Sequence, residues 1–371
     1  MALLAEWHYL RYQPLTEFFW RELHAAYRMA ESITVIANDA KTRYLQVLML
    51  DSVNRSSMSR SRISLLYAWL GDWCKDVALV RDYTPSPYQF FVDLDLACGA
   101  RPVSHAPLAG DCRYWSAERF VAKLEAMRQQ LGNNVLPPDF PPKTTVANAQ
   151  RMVDKLLSEW SQNAGQRERR GEQRQNVMKH AQVVHGIFNV CQHVKNTGFA
   201  SAPLPLTSDE KTAAGDSWLI DNESQFGFGT FVYADFNRWL EPGCLIAMNY
   251  DLNPDLTPVG IVRSTTQLSA HKYSVGIEVL SHTPSYVRLQ QLAETEIGLE
   301  RLPPVAAIFL PENDERKQPA TVAMPVPDYV AAGLYELHTP QIEHVIQLGE
   351  VLEQQADWIR VGVSVAAAIT L

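Results

Sequence analysis

Cysteine is sparse and unpatterned in this chain. Five residues (Cys74, Cys98, Cys112, Cys191, Cys244) are scattered, odd in number and never spaced as C-x-x-C. That excludes a disulfide framework and predicts reduced thiols in a cytoplasmic protein. Cys191-Gln192-His193 is too little for a metal site, so no metal is expected. Basic charge is also short: 33 Lys and Arg stand against 41 Asp and Glu, a net charge of −8. No global positive field exists for DNA or RNA, so a site for an anionic ligand must be a local cluster. Long apolar runs are missing. No stretch approaches the ~18–20 apolar residues of a membrane helix, and Val361–Leu371 is too short to insert. The N-terminus shows no basic region followed by an apolar run, so no signal peptide is expected. No nucleophile stands with a base in any recognisable pattern, and no repeat of 20–50 residues suggests a solenoid.

What is present is an ordinary globular composition in a chain of 371 residues, enough for two or three cores. Residues 1–160 read as mainly helical. Apolar positions recur at helical spacing through Phe19, Leu23 and Tyr27, through Leu66, Trp69, Leu70 and Trp73, and through Phe120, Leu124, Met127 and Leu131. Ser116 is the expected N-cap of that last helix. After the proline-rich connector 136–142, Met152, Val153, Leu156, Leu157 and Trp160 predict one more helix. Two features here admit functional readings. Asp93 and Asp95 fall two apart in a strand-like run and would share one face, as a divalent-metal site in a nucleotide-transferring enzyme requires. A half-buried strand with a wet acidic face gives the same pattern, and no phosphate-binding Gly-Ser loop precedes it. The segment Arg55–Arg62 is basic and serine-rich; a helix-capping loop explains it better than a nucleic-acid contact.

Residues 161–180 are strongly polar and predict a flexible linker bearing Arg170-Gly171-Glu172-Gln173-Arg174. Two guanidinium forks four residues apart suit bidentate phosphate binding or stacking on a planar base. Solvated arginines after a helix produce the same spacing. From Gln182 the period becomes that of strands, with Val184, Gly186, Phe188 and Val190 as a first mixed run. Further strands are expected near 216–221, 226–234, 243–250, 258–264 and 272–281, enough for an antiparallel barrel. Within the second strand, Asn222 and Ser224 should point to one face, followed by Gly227 and Gly229. An amide and a hydroxyl side by side above glycines suit a small planar anion; a tight turn or bulge would use the same residues. Residues 286–371 predict a C-terminal β-rich domain, a second small barrel packed on the first. Strands are expected at Val305–Leu310, Ala320–Met324, Ala332–Leu337, His344–Leu348 and Trp358–Ala366, with His338 and His344 at the surface.

The ordered pair R-x-x-x-R (Arg170, Arg174) and N-x-S-x-x-G (Asn222, Ser224, Gly227) resembles the PilZ domain, a bacterial receptor for cyclic di-GMP, over about residues 165–285. Gly243–Ala247, Val259–Arg263 and Val275–Val279 look like that family's later barrel strands. The spacing between motifs is longer than the family's, which places an insertion around 193–215. The resemblance implies an α+β multidomain protein: helical domain 1–160, arginine linker 161–180, six-stranded antiparallel PilZ-like barrel 181–285, and β-rich domain 286–371. It implies a non-enzymatic receptor without cofactor, relaying cyclic di-GMP to an unidentified protein partner by movement of the arginine loop. Arg170 and Arg174 would take phosphates and guanine, Asn222 and Ser224 the second base or a phosphate, and Gly227 would let the ligand sit close. Trp218 reads as barrel core. The alternative is a degenerate PilZ-like scaffold that assembles proteins and binds no nucleotide.

Overall fold

The computed structural model describes the chain apart from residues 34–36, 86–88, 104–109, 143, 161–174, 198–215, 251–256, 270, 296–297, 317, 339–342 and 369–371. It divides into two compact units, Met1–Gly171 and Glu172–Leu371.

The first unit carries helices α1 (Ala2–Leu10), α2 (Glu17–Glu31), α3 (Ala37–Asp51) and α4 (Arg60–Trp73). A small sheet of β1 (Gln89–Asp93), β2 (Arg101–Pro102) and β3 (Cys112–Ser116) follows, in the order β2-β1-β3. Then come α5 (Glu118–Gly132) and α6 (Val146–Trp160). The helical stripes are core: Leu48, Leu66, Phe120, Leu156 and Trp160 are fully buried in one cluster. Trp160 also donates to Ser52 Oγ at 2.9 Å, which fastens the end of α6 beside the end of α3. Arg55 caps a helix from the C-terminal side: its Nη1 donates to the carbonyls of Leu50 and Asp51, while its guanidinium lies 3.9 Å from the Tyr9 ring. Ala117, rather than Ser116, is the N-cap residue of α5, although the Glu118 amide donates to Ser116 Oγ at 3.2 Å.

Asp93 and Asp95 do not share a strand face. β1 ends at Asp93, whose carboxylate accepts the Asp95 amide at 3.0 Å, and Asp95 pairs with Arg28. No group of three or more metal-ligating side chains occurs among the described residues. The buried cation of this unit is Arg113, held by Glu31 at 2.6 and 2.8 Å and by Asp111 at 2.6 Å. Hydrogen bonds from Arg113 lower the Glu31 pKa to about 2 against an opposing effect of burial. Because the folded-state pKa is depressed, the stabilisation is complete above the unfolded carboxylate's pKa and is lost as pH falls toward about 2. The stability of the helical unit, read by chemical denaturation, should therefore fall between about pH 4.5 and 2. Glu31→Gln should remove much of that slope.

In the second unit, β4 (Gln175–His185) begins seven residues before the sequence pattern turns strand-like, inside the expected linker. It leads into α7 (Ile187–Thr197), where a further strand run is expected from the sequence. Gly186, at φ +80°, ends the strand, and Ile187, Val190, Cys191 and Val194 recur at helical spacing on the buried face. β5 (Asp216–Ser224), β6 (Gly227–Tyr233), β7 (Leu245–Tyr250), β8 (Val259–Ser269) and β9 (Lys272–Ser281) complete a closed antiparallel barrel, β4-β5-β6-β9-β8-β7. Trp218, Ile220, Phe228, Val262 and Ile277 fill it. Trp218 is core, as expected, and donates to Asn237 Oδ1 at 3.0 Å.

The C-terminal residues form β10 (Ser285–Thr295), β11 (Gly298–Arg301), β12 (Val305–Leu310), β13 (Thr321–Pro325), β14 (Leu334–His338), β15 (Glu343–Gln354) and β16 (Trp358–Ala368). The ring β10-β12-β13-β16-β15-β14 closes through a β10–β14 pairing, with β11 hairpinned onto β10. This is a second six-stranded barrel. Numbered by rank, both barrels run 1-2-3-6-5-4. They pack through α7, with Val190 and Val194 against Ile308, Leu310, Ala323 and Trp358. Trp358 also donates to the carbonyl of Gly243 at 3.0 Å. Cys191 is buried in this contact, which pushes its thiol up to about 12 and leaves it unreactive. All five cysteines are free thiols. His338 and His344, expected at the surface, are half-buried on adjacent strands.

Candidate ligand-binding face

Alternation sets the faces of β6. Phe228, Thr230 and Val232 are buried toward the barrel interior, while Phe231 and Tyr233 are exposed. Gly227 and Gly229 therefore lie on the outer face. Asn222 is paired with Gly229 and Ser224 with Gly227, which places both polar side chains outward together. A bulge between Ile220 and Asn222 makes this possible: it keeps Trp218 and Ile220 inside while turning Asn222 out. Glu223 takes the opposite side and pairs with Lys179.

On the outer face, polar side chains of neighbouring strands lie close over two glycines. A Cβ at Gly229 would stand 2.7 Å from the Asn222 amide, and one at Gly276 would stand 2.5 Å from Ser264 Oγ. Gly229 and Gly276 are themselves cross-strand partners, and Gly276 pairs with Ser264. Asn222, Gly229, Gly276 and Ser264 thus form one row across four strands, in which the Asn222 amide and the Ser264 hydroxyl lie close over the two glycines. Ser264 and Gly276 are the residues sequence reasoning missed. Their signal was only strand alternation, and the register that aligns them with Asn222 depends on two bulges.

Gly227 has a separate duty. A Cβ there would lie 2.6 Å from the backbone carbonyl oxygen of Ile277, so the glycine lets β6 approach β9. Gly227→Ala should cost about 2 kcal/mol of stability, because a backbone carbonyl cannot swing aside. The check is a lowered denaturant midpoint. Gly229→Ala meets only the movable Asn222 amide and should cost less.

The Asn222 amide donates to Asp221 at 3.1 Å, and Ser224 Oγ donates to the Gly227 carbonyl at 3.1 Å, leaving hydroxyl lone pairs to accept. Cations near the face are engaged: Arg316 with Glu278, Lys179 with Glu223, and Lys272 over the Phe231 ring at 4.5 Å. Arg170 and Arg174 lie outside the described residues. Gln175, the next residue after Arg174, opens β4 directly opposite Glu223, and Asn176 is opposite Asn222.

Residues 1–84 match the family model described as the cyclic-di-GMP receptor FimW, N-terminal domain. The FimW match spans α1 to α4 and stops before β1, so it is independent of the motif-bearing barrel. No curated protein and no solved structure matches the chain. Among the described residues, no helix is long and apolar enough to cross a membrane.

Proposed function

We propose that the chain is a cyclic di-GMP receptor, with the ligand bound on the outer face of the first barrel. The observation that carries this reading is the register of β4 on β5. β4 opens at Gln175 opposite Glu223, with Asn176 opposite Asn222. In the sequence Arg174 immediately precedes Gln175 and Arg170 stands five residues before it, a contour of at most about 18 Å. The FimW match of residues 1–84, to a family named for the same ligand, supports the reading from another part of the chain.

In this reading Arg170 and Arg174 bind the phosphates and the O6/N7 acceptor pair of guanine, which fits a guanidinium fork. Asn222 and Ser224 hydrogen-bond the second base or a phosphate. Gly227 keeps the strand pair close, and Gly229 and Gly276 give the Asn222 amide and the Ser264 hydroxyl room to lie against the sheet. The protein acts as a cytoplasmic, non-enzymatic receptor, and closure of the arginine segment relays occupancy to a protein partner. Calorimetric titration with cyclic di-GMP tests the reading. The expected result is saturable binding at micromolar or lower ligand, with little heat from GMP. No heat at high ligand concentration would instead support a protein-assembly scaffold that retains only the barrel.

A further inference from the structure

The turn that joins Asn222 and Ser224 to Gly227 is tied within its own barrel by Ser224 Oγ on the Gly227 carbonyl at 3.1 Å and by the Val279 N–H on the Phe226 carbonyl at 3.0 Å, but its backbone is not the one such a loop prefers. Ser224 pairs with Gly227, so Gln225 and Phe226 form a two-residue hairpin loop. Such loops favour type I′ or II′ turns, which require a positive φ at the first central residue. Neither Gln225 nor Phe226 has one. The turn is also gripped from the second barrel by the connection between β12 and β13, where Asn313 and Gln318 exchange backbone hydrogen bonds at 2.9 and 3.0 Å. The Arg316 guanidinium lies 4.2 Å from the Phe226 ring centroid. It donates to Glu278 Oε1 at 2.7 Å, to the Val279 carbonyl at 3.3 Å and to the Phe226 carbonyl at 3.5 Å. Gln225 donates to Glu315, and His282 Nε2 lies 2.9 Å from the Gln225 carbonyl oxygen. Glu278 is itself the cross-strand partner of Gly227.

We propose that Arg316 of the second barrel is a positioning residue for the ligand face: it fixes the Gln225–Phe226 turn, and with it the outward pose of Asn222 and Ser224. The ligand half of this inference rests on the receptor reading above; the positioning half does not. Because coupling is reciprocal, a ligand on the face must also steady the β12–β13 connection.

The test compares full-length wild type, Arg316→Ala, Arg316→Lys and the core control Val322→Ala by calorimetry with cyclic di-GMP and by amide hydrogen exchange. In ligand-free Arg316→Ala, exchange across 224–228 should rise about tenfold or more, matching the loss of one charge-assisted hydrogen bond. Its cyclic di-GMP affinity should fall by a similar factor. Arg316→Lys, which keeps the charge on Glu278 but not the planar stack, should fall between. Val322→Ala should lower the melting temperature while leaving affinity and turn exchange unchanged. In wild type, ligand should slow exchange at Asn313 and Gln318; in Arg316→Ala it should not. Wild-type exchange at 224–228 in the Arg316 variants overturns the proposal, as does an equal effect of Val322→Ala. If wild type takes up no cyclic di-GMP, the receptor reading falls, and the ligand-free exchange comparison still decides whether Arg316 positions the turn. Should Arg316→Ala not fold, Arg316→Lys carries both comparisons.

Discussion

Replacing Arg170 and Arg174 together with alanine is expected to weaken cyclic di-GMP binding by at least about a hundredfold. Each guanidinium supplies charge-assisted hydrogen bonds of about 1.5–3 kcal/mol, so losing both removes about 3–6 kcal/mol. At about 1.4 kcal/mol per tenfold, that is roughly two to four orders of magnitude. The described face cannot replace them, since the cations beside it are already engaged with Glu278, Glu223 and the Phe231 ring. Single replacements should each cost about tenfold or more. Lysine should rescue poorly, because it keeps the charge but not the planar fork that matches guanine O6 and N7. Added salt should weaken the wild type more than the double variant. Calorimetry reads all of this, with circular dichroism to show that the fold is intact. Undiminished affinity in the double variant would sink the assignment of these residues.

Glu353→Ala is expected to destabilise the tandem barrels by about 3–5 kcal/mol. Glu353 is 3% exposed and accepts from Arg263 Nη1 and Nη2 at 2.7 and 3.1 Å, with Arg360 3.9 Å away. Arg263 also reaches Glu278 at 2.6 Å, which in turn accepts from Arg316. Burial alone would lower the Arg263 pKa, but Glu353 and Glu278 more than reverse it and the value is raised. Removing Glu353 leaves Arg263 with a single carboxylate and Arg360 without its nearest counter-charge. For a unit of this size the melting temperature should drop by roughly 10 °C. Glu353→Gln keeps the shape and one acceptor and should cost less. An apolar pair, Arg263→Met with Glu353→Leu, should cost less than Glu353→Ala alone, since Arg360 is then the one arginine left without Glu353. A Glu353→Ala melt indistinguishable from wild type would show that the network contributes little.

The elements that depend on local pattern were legible in the sequence. The helical stripe ending at Trp160, the inward Trp218 and the shared face of Asn222 and Ser224 all follow from periods of 3.6 or 2. So did most strands of both barrels, and the second barrel itself. What escaped depended on single residues or on register. Val184, Gly186, Phe188 and Val190 fit an alternating pattern, yet one positive-φ glycine divides β4 from a helix. Alternation puts Asp93 and Asp95 on one face, yet the strand ends at Asp93, before Asp95. β10 and β11 were passed over because Ser285–Thr295 is rich in Gln, Arg and Glu, which suppresses the apolar alternation. The row from Asn222 to Ser264 needs four strands in register, and the Arg316 grip joins residues 90 apart. No local window contains either. That both barrels follow one strand order is equally hidden, because a closed sheet demands alternation and turns rather than any particular residues.

The rank order shared by the two barrels has a consequence for how they stay together. The fifth strand of one (β8) meets the fifth of the other (β15) through Arg263 and Glu353, and the turns between second and third strands meet through Gln225 and Glu315. Within each barrel the pair on ranks five and six is charge-swapped, Arg263 with Glu278 against Glu353 with Arg360. Like parts facing like parts is how two copies of one subunit associate about a twofold axis. Here a peptide link replaces that encounter, so dilution cannot separate the halves, and the apolar patch of Leu245, Ala247, Val259 and Ile261 stays covered at any protein concentration.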